Sequence, residues 1–434
     1  MRKVRAAWSP RKSICMNERT QHSLPEYSFR SEAAFSLSGF DVPLPASVLN
    51  IEAKSRSNPF PWRGQFSPQL VESLLRAYAP AGATVLDPFM GSGTVLVEAA
   101  RLGLAAYGCE INPAAFLLGR VYELCCLDQA ERRILLDSAE STLINAQPFA
   151  FELPLFRARS TVAPTTGDES TWIPNNIDPR VRMLLEALIV LCDYDSADYN
   201  ACANKWATIR SVVEALPYSH QPVRAFLSDA RAIPLSDRSI DFVLSSPPYI
   251  NVFNYHHNSR ASIEQLGWKP LVVARSEIGS NRKFRQNRFL TVVQYCIDMA
   301  MALVELSRLC RQEARLILVV GRESNVHKTP FFNSAIIKRL ATDVVGMCLR
   351  QQQERAFLNR FGQRIYEDIL HFTPAQSYRQ IKSDIVGQAR AIGKDVLIEA
   401  FDRTPLDRRQ YLRDAINEAS KVEPSPIFEL TTAR

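Results

Sequence analysis

The feature that most constrains this chain is a short apolar run that ends in an acid and passes into a glycine-rich turn. Residues 83–94 read ATVLDPFMGSGT, so a buried strand would end at Asp87 and a helix would begin near Thr94. A second apolar run, residues 105–110 (AAYGCE), ends in Glu110. Two short strands joined through a helix predict a right-handed crossover and a parallel sheet. We therefore expect an α/β fold with a mostly parallel, doubly wound sheet.

The turn also indicates the kind of ligand, because ligands of open α/β sheets bind at the carboxyl ends of the strands. Gly91 and Gly93 permit positive φ and a close approach of the backbone. A dinucleotide fingerprint would need a third glycine where Leu96 stands, and a phosphate-binding Gly-Lys-Ser/Thr does not occur. Asp87 would repel a phosphate and attract a cation, whereas Glu110 lies where an acid typically accepts ribose hydroxyls. S-adenosylmethionine, a nucleoside with cationic groups and no phosphate, fits this pattern better than a purely structural turn does.

A third apolar run, residues 240–245, leads into Ser246-Pro247-Pro248-Tyr249. The two prolines fix the backbone and remove two N–H donors, which leaves carbonyl oxygens as acceptors. Such a loop suits a planar substrate with an exocyclic amine, because oxygens accept the amine hydrogens while the aromatic ring stacks on the substrate. Alone, the loop could equally be a rigid turn with a surface tyrosine. Beside the glycine-rich turn, the functional interpretation is preferred.

Together, the segments 87–94 and 246–249 resemble the motifs of the S-adenosylmethionine-dependent DNA amino-methyltransferases, the N4/N6 DNA methylases. Serine in the first position of the second motif is most typical of cytosine-N4 members, whereas adenine-N6 members more often have Asp or Asn there. The resemblance covers roughly residues 56–128 and 222–375. It implies a Rossmann-like class I methyltransferase core and a double-stranded DNA substrate whose target base is flipped out.

The resemblance also implies the site residues, and it implies no metal. In this interpretation Tyr249 stacks on the flipped base, and the Ser246 hydroxyl and the Pro247 carbonyl accept the amine hydrogens. Segments 58–60 and 66–68 are similar to the part of the family that packs against the cofactor. The predicted catalytic residues are Ser246, Pro247, Pro248 and Tyr249. The predicted cofactor-binding residues are Asp87, Pro88, Phe89, Gly91, Ser92, Gly93, Thr94, Glu110 and, at the adenine edge, Asp229.

Changes in composition and periodicity divide the chain into five segments. The helical insertion is the first candidate for target recognition, with a scaffold or a dimer surface as its alternative. The segments are a basic N-terminal arm (1–50), the cofactor-binding half of the core (51–128), the helical insertion (129–221), the catalytic half of the core (222–375) and a helical C-terminal extension (376–434).

A basic stretch follows the second motif by about 30 residues. The whole chain has 52 Lys and Arg against 45 acids, a net charge of +7, which permits a polyanionic partner without establishing one. Cations interleaved with phenylalanines favour contact with DNA phosphates over a merely solvated loop. The predicted DNA-binding residues are Arg275, Arg282, Lys283, Arg285 and Arg288.

The nine cysteines are scattered without a C-x-x-C pair, which favours a reduced cytoplasmic protein without a disulfide framework or a zinc ribbon. Residues 1–12 lack the apolar core of a signal peptide. No stretch approaches the roughly 18–20 uncharged apolar residues that a membrane span needs. We expect a cytoplasmic protein that does not enter a membrane.

These patterns lead to one functional hypothesis and three alternatives. The hypothesis is a site-specific DNA methyltransferase that modifies the N4 amine of cytosine and protects DNA from a partner restriction endonuclease. The enzyme alternatives are methylation of adenine N6 in DNA and methylation of a guanine N2 amine in transfer RNA. The alternative without catalysis is an inactive, methyltransferase-like DNA-binding module.

Overall fold

The order in which the chain adds strands to the sheet reverses between two strands that are neighbours in space but far apart in the chain. The computed structural model describes residues 42–51, 55–62, 64–150, 173–193, 199–250, 259–280, 284, 286–358, 362–375 and 384–433. Its strands are β1 (Thr84–Asp87), β2 (Ala105–Glu110), β3 (Val223–Leu227), β4 (Ile240–Ser245), β5 (Cys310–Gly321), β6 (Glu323–Val326), β7 (Thr329–Phe332), β8 (Cys348–Leu358) and β9 (Arg364–Thr373).

Seven of these strands form one sheet in the order β3-β2-β1-β4-β5-β9-β8, and β6 and β7 form a separate hairpin. The pairs from β3 to β5 are parallel, whereas β9 runs antiparallel to both β5 and β8. From β1 the chain proceeds outward to β2 and β3, then returns to β4 on the other side, so the β1–β4 boundary is the topological switch point. This sheet confirms the predicted Rossmann-like class I methyltransferase fold.

Helices cover both faces of the sheet. They are α1 (Ala46–Asn50), α2 (Pro68–Tyr78), α3 (Thr94–Arg101), α4 (Pro113–Gly119), α5 (Gln129–Ala150), α6 (Pro179–Asp193), α7 (Tyr199–Glu214), α8 (Arg260–Gln265), α9 (Pro270–Val273), α10 (Leu290–Leu309), α11 (Asn333–Arg339), α12 (Ile385–Glu399), α13 (Arg409–Glu418) and α14 (Leu430–Ala433). Three short 3₁₀ helices and one π-helical turn complete the helical part of the described residues.

Successive side chains of a strand point to opposite faces of the sheet, and an apolar core lies on each face. Val85 and Phe242 face the core formed with α2 to α7, whereas Leu86 and Val243 face the core formed with α10 to α13. Strands that are buried on both sides read as continuous apolar runs, which is why β1 and β4 were recognisable in the sequence.

The helical insertion joins the first core rather than standing apart from it. Leu184, Leu185 and Leu188 of α6 are at most 1% exposed, and α6 packs against α4, α5 and α7. Arg132 at the start of α5 is 2% exposed and donates to the carbonyls of four residues, Leu124, Cys125, Leu216 and Pro217. Arg132 therefore joins the beginning of the insertion to its last residues and to the 3₁₀ helix that precedes it. The role of the insertion in target recognition stays a prediction.

Among the described residues α10 comes nearest to a membrane span, although Asp298, Glu305 and Arg308 interrupt its apolar sequence. Among the described residues this helix is long and apolar enough, by length and composition, to cross a membrane, and its most apolar window is 83% buried inside the protein. A helix covered by other elements on every side needs an apolar surface all round, which explains its composition.

Candidate active site

The two predicted motifs meet at the switch point of the sheet. Strands β1 and β4 are parallel neighbours, with Val85 opposite Phe242 and Leu86 opposite Val243. At their carboxyl ends the Ser245 hydroxyl donates to Asp87 Oδ1 over 2.5 Å, and both residues are at most 3% exposed. The glycine-rich turn after β1 and the Ser-Pro-Pro-Tyr loop after β4 therefore start side by side.

The glycine-rich turn has the backbone shape that the sequence predicted. Gly91 and Gly93 both adopt positive φ, 54° and 89°. A Cβ at Gly93 would lie 2.8 Å from the ring of Tyr122, so this glycine is required by space as well as by conformation. Helix α3 then begins at Thr94, whose hydroxyl donates to the Asn58 side chain over 2.9 Å. The predicted helix start is confirmed, and the segment 58–60 packs onto the turn.

Glu110 at the end of β2 joins the turn to the neighbouring strand. One carboxylate oxygen accepts from the Gly91 N–H over 2.9 Å, and the other accepts from the Asn112 N–H over 2.8 Å. Each oxygen keeps further acceptor capacity, because a carboxylate can accept about four hydrogen bonds. The carboxylate is thus held in place and can still accept hydroxyl groups of a ligand.

A cleft enclosing about 1100 Å³, including space open to solvent, lies over these strand ends. Eight of the nine predicted cofactor-binding residues line it, namely Asp87, Pro88, Phe89, Gly91, Ser92, Thr94, Glu110 and Asp229. Gly93, the ninth, does not line the cleft; it precedes the first residue of α3. Of the predicted catalytic residues, Ser246 and Pro248 line the same cleft.

Burial gives two of the acids that line the cleft unusual pKa values. It raises the pKa of Asp87 to about 7, although hydrogen bonds from Ser245 and the Phe89 N–H oppose the shift. Burial likewise raises the pKa of Glu110 to about 7, against the bonds from Asn112 and Gly91 and with a contribution from nearby Glu277. A cation in this cleft would stabilise the charged form of either acid.

Asp229 is bound differently from the other two acids. Its carboxylate, which is 2% exposed, accepts from the Arg231 backbone N–H, from two guanidinium nitrogens of Arg231 at 2.7 and 2.9 Å, and from the Phe428 N–H. Arg231 is fully buried and also pairs with Asp298 at 2.9 Å. Each oxygen of Asp229 thus already accepts two hydrogen bonds, and its contact with an adenine amine stays a prediction.

The Ser-Pro-Pro-Tyr loop is held by residues that sequence analysis did not single out. The Pro248 carbonyl accepts from the buried Tyr295 hydroxyl over 3.0 Å. The ring of Tyr249 rests on Gly321 at the end of β5, where a Cβ would come within 2.6–3.1 Å of three ring atoms. A Cβ at Gly279 would likewise lie 2.6 Å from the Tyr249 carbonyl oxygen. A side chain at Gly279 or Gly321 would clash with Tyr249, so the position of Tyr249 depends on these two glycines.

The basic stretch after the second motif contributes to the cleft instead of lying wholly on the surface. Ser276, Glu277, Ile278 and Ser280 line the cleft, and no short motif marked them beforehand. Arg275 and Arg288 are exposed. The other three predicted DNA-binding residues, Arg282, Lys283 and Arg285, lie outside the described residues.

The cleft has the chemistry that S-adenosylmethionine requires. The buried hydroxyls of Ser228 and Ser280 line it. That of Ser280 has no hydrogen-bond partner among the residues that the structure describes, and that of Ser228 has the Cys109 thiol beside it. Buried hydroxyls are normally bonded, so they favour a polar ligand. Trp62, Phe66 and Ile111 supply apolar surface for a base. Together with the acids, these groups fit the cofactor.

Fold and cleft together resemble those of the class I S-adenosylmethionine-dependent methyltransferases. A family model described as DNA methylase, for N6 and N4 enzymes, matches residues 8–118. The chain is also similar to the Type II methyltransferase M.MjaII of Methanocaldococcus jannaschii. The two are 38% identical over 86 residues, which are 19% of this chain and 16% of the relative.

A second relative acts on RNA by its name. The tRNA (guanine(10)-N2)-dimethyltransferase of Methanothermobacter thermautotrophicus is 34% identical over 62 residues, which are 14% of this chain and 18% of that protein. The chain therefore spans less than a fifth of the length of each of these curated relatives.

Solved structures resemble the chain more broadly and more weakly. A SAM-dependent methyltransferase of Methanosarcina mazei matches 70% of this chain and 98% of its own, with 13% identity and a TM-score of 0.33. The rRNA methyltransferase aviRa of Streptomyces viridochromogenes matches 78% and 96%, with 15% identity and a TM-score of 0.29. Both scores are below 0.5, so neither likeness supports a substrate. The family match and the likeness to M.MjaII confirm the resemblance to the N4/N6 DNA methylases and support S-adenosylmethionine as the cofactor.

The raised pKa values predict that cofactor affinity increases with pH. Because the pKa of Asp87 and of Glu110 is about 7, binding that requires both carboxylates must release protons below that pH. Affinity should therefore rise from about pH 6 to about pH 8. Isothermal titration calorimetry in two buffers with different ionisation enthalpies measures both the cofactor affinity and the number of protons released. Asp87→Asn should weaken binding and reduce the proton release, and equal affinity across this range would contradict the prediction.

The contact between Tyr249 and Gly321 predicts that Gly321→Ala impairs methyl transfer without impairing cofactor binding. The new methyl group would displace the ring by about 1 Å, and a misplacement of that size costs roughly 10²-fold in rate. Single-turnover kinetics and cofactor titration separate the two effects. A variant with normal transfer would show that the position of the Tyr249 ring is unimportant, and a variant that loses cofactor binding would show that Gly321 serves the cleft instead.

Proposed function

We propose that this protein is a DNA methyltransferase that transfers a methyl group from S-adenosylmethionine to the N4 amine of cytosine. One observation carries the proposal: the Ser246–Tyr249 loop borders the same cleft as the cofactor acids, with Ser245 bonded directly to Asp87. An amine acceptor and a cofactor site at one switch point are what direct methyl transfer to an exocyclic amine requires. Serine in the first position of the loop favours cytosine over adenine.

When bound, the cofactor supplies an electrophilic methyl group on a sulfonium. Asp87 and Glu110 would hold its cationic and ribose ends, and the Ser228 and Ser280 hydroxyls lie where further polar groups of the nucleoside could bond. The buried surroundings keep water away from these groups, which strengthens their electrostatic contribution.

The loop residues would orient the amine. Among the described residues none donates to the Pro247 carbonyl, whereas the Pro248 carbonyl is already occupied by Tyr295. Accepting one amine hydrogen at the Pro247 carbonyl and the other at the Ser246 hydroxyl would turn the nitrogen lone pair out of conjugation with the ring. Positioning of this kind accounts for most of the rate that such a site can provide.

The target base would have to leave the duplex to reach the loop. Flipping costs a few kcal/mol, which stacking on an aromatic side chain offsets. Tyr249 is suited to this because Gly321 and Gly279 fix its ring and its backbone. Exposed Arg275 adjoins the cleft-lining residues 276–280 in the chain, so it could contact the DNA backbone beside the flipped nucleotide.

The family model and the Type II relative support DNA as the substrate. On this basis we propose further that the protein acts in the cytoplasm as the protective partner of a restriction endonuclease. Adenine N6 is the nearest alternative target, since the family model covers both amines. A guanine N2 amine in transfer RNA is the second, favoured by the tRNA methyltransferase relative. A module without activity would have no use for the ordered set of acids and loop oxygens around the cleft.

Incubation with methyl-labelled cofactor tests these choices directly. Duplex DNA and transfer RNA are supplied separately, and the products are digested to nucleosides and separated. We expect label in N4-methylcytosine from DNA, and loss of transfer in Tyr249→Ala and Ser246→Ala. Label in N6-methyladenine or in N2-methylguanosine would replace cytosine with the corresponding alternative, and near-normal transfer in both variants would refute the role of the loop.

A further inference from the structure

A carboxylate from a distant strand touches the Ser-Pro-Pro-Tyr loop. The Tyr249 hydroxyl lies 3.5 Å from the Ser246 hydroxyl on one side and 3.4 Å from Glu367 Oε1 on the other. Glu367 is on β9, directly opposite Gly321 in the ladder. Three oxygens thus follow one another from the first residue of the loop to a carboxylate.

The Glu367 side chain is oriented by its own partner. Arg355 Nε of β8 pairs with Glu367 Oε2 over 2.7 Å, and the two side chains are only 8% and 14% exposed. Arg355 also stacks on Phe357 at 4.6 Å and donates to the Leu49 carbonyl. Because Arg355 holds Oε2, the other oxygen of Glu367 is directed at Tyr249.

The two long contacts leave room to shorten. Strong O–H···O bonds measure about 2.7–2.8 Å, and catalytic hydrogen bonds are often long until the substrate binds. An amine held at Ser246 would draw the serine hydroxyl into its own hydrogen bond and align it with Tyr249.

We propose that Glu367 is a positioning residue of the active site: it receives, through the hydroxyls of Tyr249 and Ser246, the proton that the target amine loses on methylation. The inference rests on the proposed function and deepens it. A serine hydroxyl cannot retain a proton as a carboxylate can, so an active site that begins its loop with serine needs a basic group elsewhere. Asp87 bonds to Ser245 and faces the cofactor cleft, whereas Glu367 contacts the loop itself.

The amine nitrogen forms a bond to the methyl carbon, and the carbon–sulfur bond breaks with its electron pair remaining on sulfur. The nitrogen, now cationic, gives a proton to Ser246 Oγ as the serine proton moves to Tyr249 Oη. The tyrosine proton moves to Glu367 Oε1, and the neutral acid later returns it to water at its exposed edge.

The arrangement of charged groups around Glu367 favours this carboxylate as the acceptor of the proton. Arg355 faces it from β8, and Tyr249 faces it from the loop after β4. Arg322 at the end of β5 pairs instead with Asp368 and Glu354. Since successive residues of a strand point to opposite faces, Asp368 belongs to the other side of β9.

Single-turnover rates measured as a function of pH test the proposal. Because the relay needs a proton acceptor at its end, the wild-type rate at saturating cofactor should rise with pH. Glu367→Gln should lower the rate by roughly 10²-fold or more and abolish that rise, with unchanged affinity for cofactor and DNA. Glu367→Asp should retain the rise. Tyr249→Phe, which keeps the ring and removes the hydroxyl, should abolish it as well, and the double variant should be no slower than the slower single variant.

Glu354→Gln is the matched control, because it removes a carboxylate from the neighbouring strand that pairs only with Arg322 among its described partners. Its rate and pH profile should equal those of the wild type. If Glu367→Gln and Tyr249→Phe keep the wild-type pH profile, the relay is refuted while methyl transfer stands. If the wild-type protein methylates neither DNA nor RNA, the proposed function fails first and the relay fails with it.

Discussion

The hydrogen bond between Ser245 and Asp87 joins the two halves of the active site. It is 2.5 Å long, fully buried, and placed where the sheet order reverses. Parallel pairing of β1 with β4 brings both strand ends to the same edge, and the bond then fixes their loops relative to each other. The proposed function needs this arrangement, because one loop would supply acids for a cationic nucleoside and the other would supply acceptors for an amine.

The acids at the proposed active site differ in their partners. Among the described residues neither Asp87 nor Glu110 has a cationic side chain as a direct partner, and burial raises their pKa values. Asp229, by contrast, is neutralised by Arg231, which also bonds to Asp298 and to the carbonyls of Ser425 and Pro426. The C-terminal extension is thereby tied to the wall of the cleft, a role that its helical pattern did not indicate. Glu367 is a third case: Arg355 binds one of its oxygens, and the other faces Tyr249 of the Ser-Pro-Pro-Tyr loop.

The parts of the site that were predictable from sequence are those built by contiguous residues. The runs ending at Asp87 and Glu110 gave β1 and β2 within one residue, because buried strands and glycine turns leave local signals. Strand β8 was missed, since CLRQQQERAFL is polar and lies at the edge of the sheet. Contacts between segments that are far apart in the chain could not be predicted from the sequence. Glu367 reaches Tyr249 across 118 positions of the chain, and Phe428 reaches Asp229 across 199.

A crystal structure of the protein with S-adenosylhomocysteine, the product of methyl transfer, tests the convergence of the two loops most directly. We predict that its ribose hydroxyls meet Glu110, that its amino group lies near Asp87, and that its sulfur points toward Ser246 and Pro248. Binding outside this cleft, or a sulfur directed away from the Ser-Pro-Pro-Tyr loop, would contradict the proposed active site.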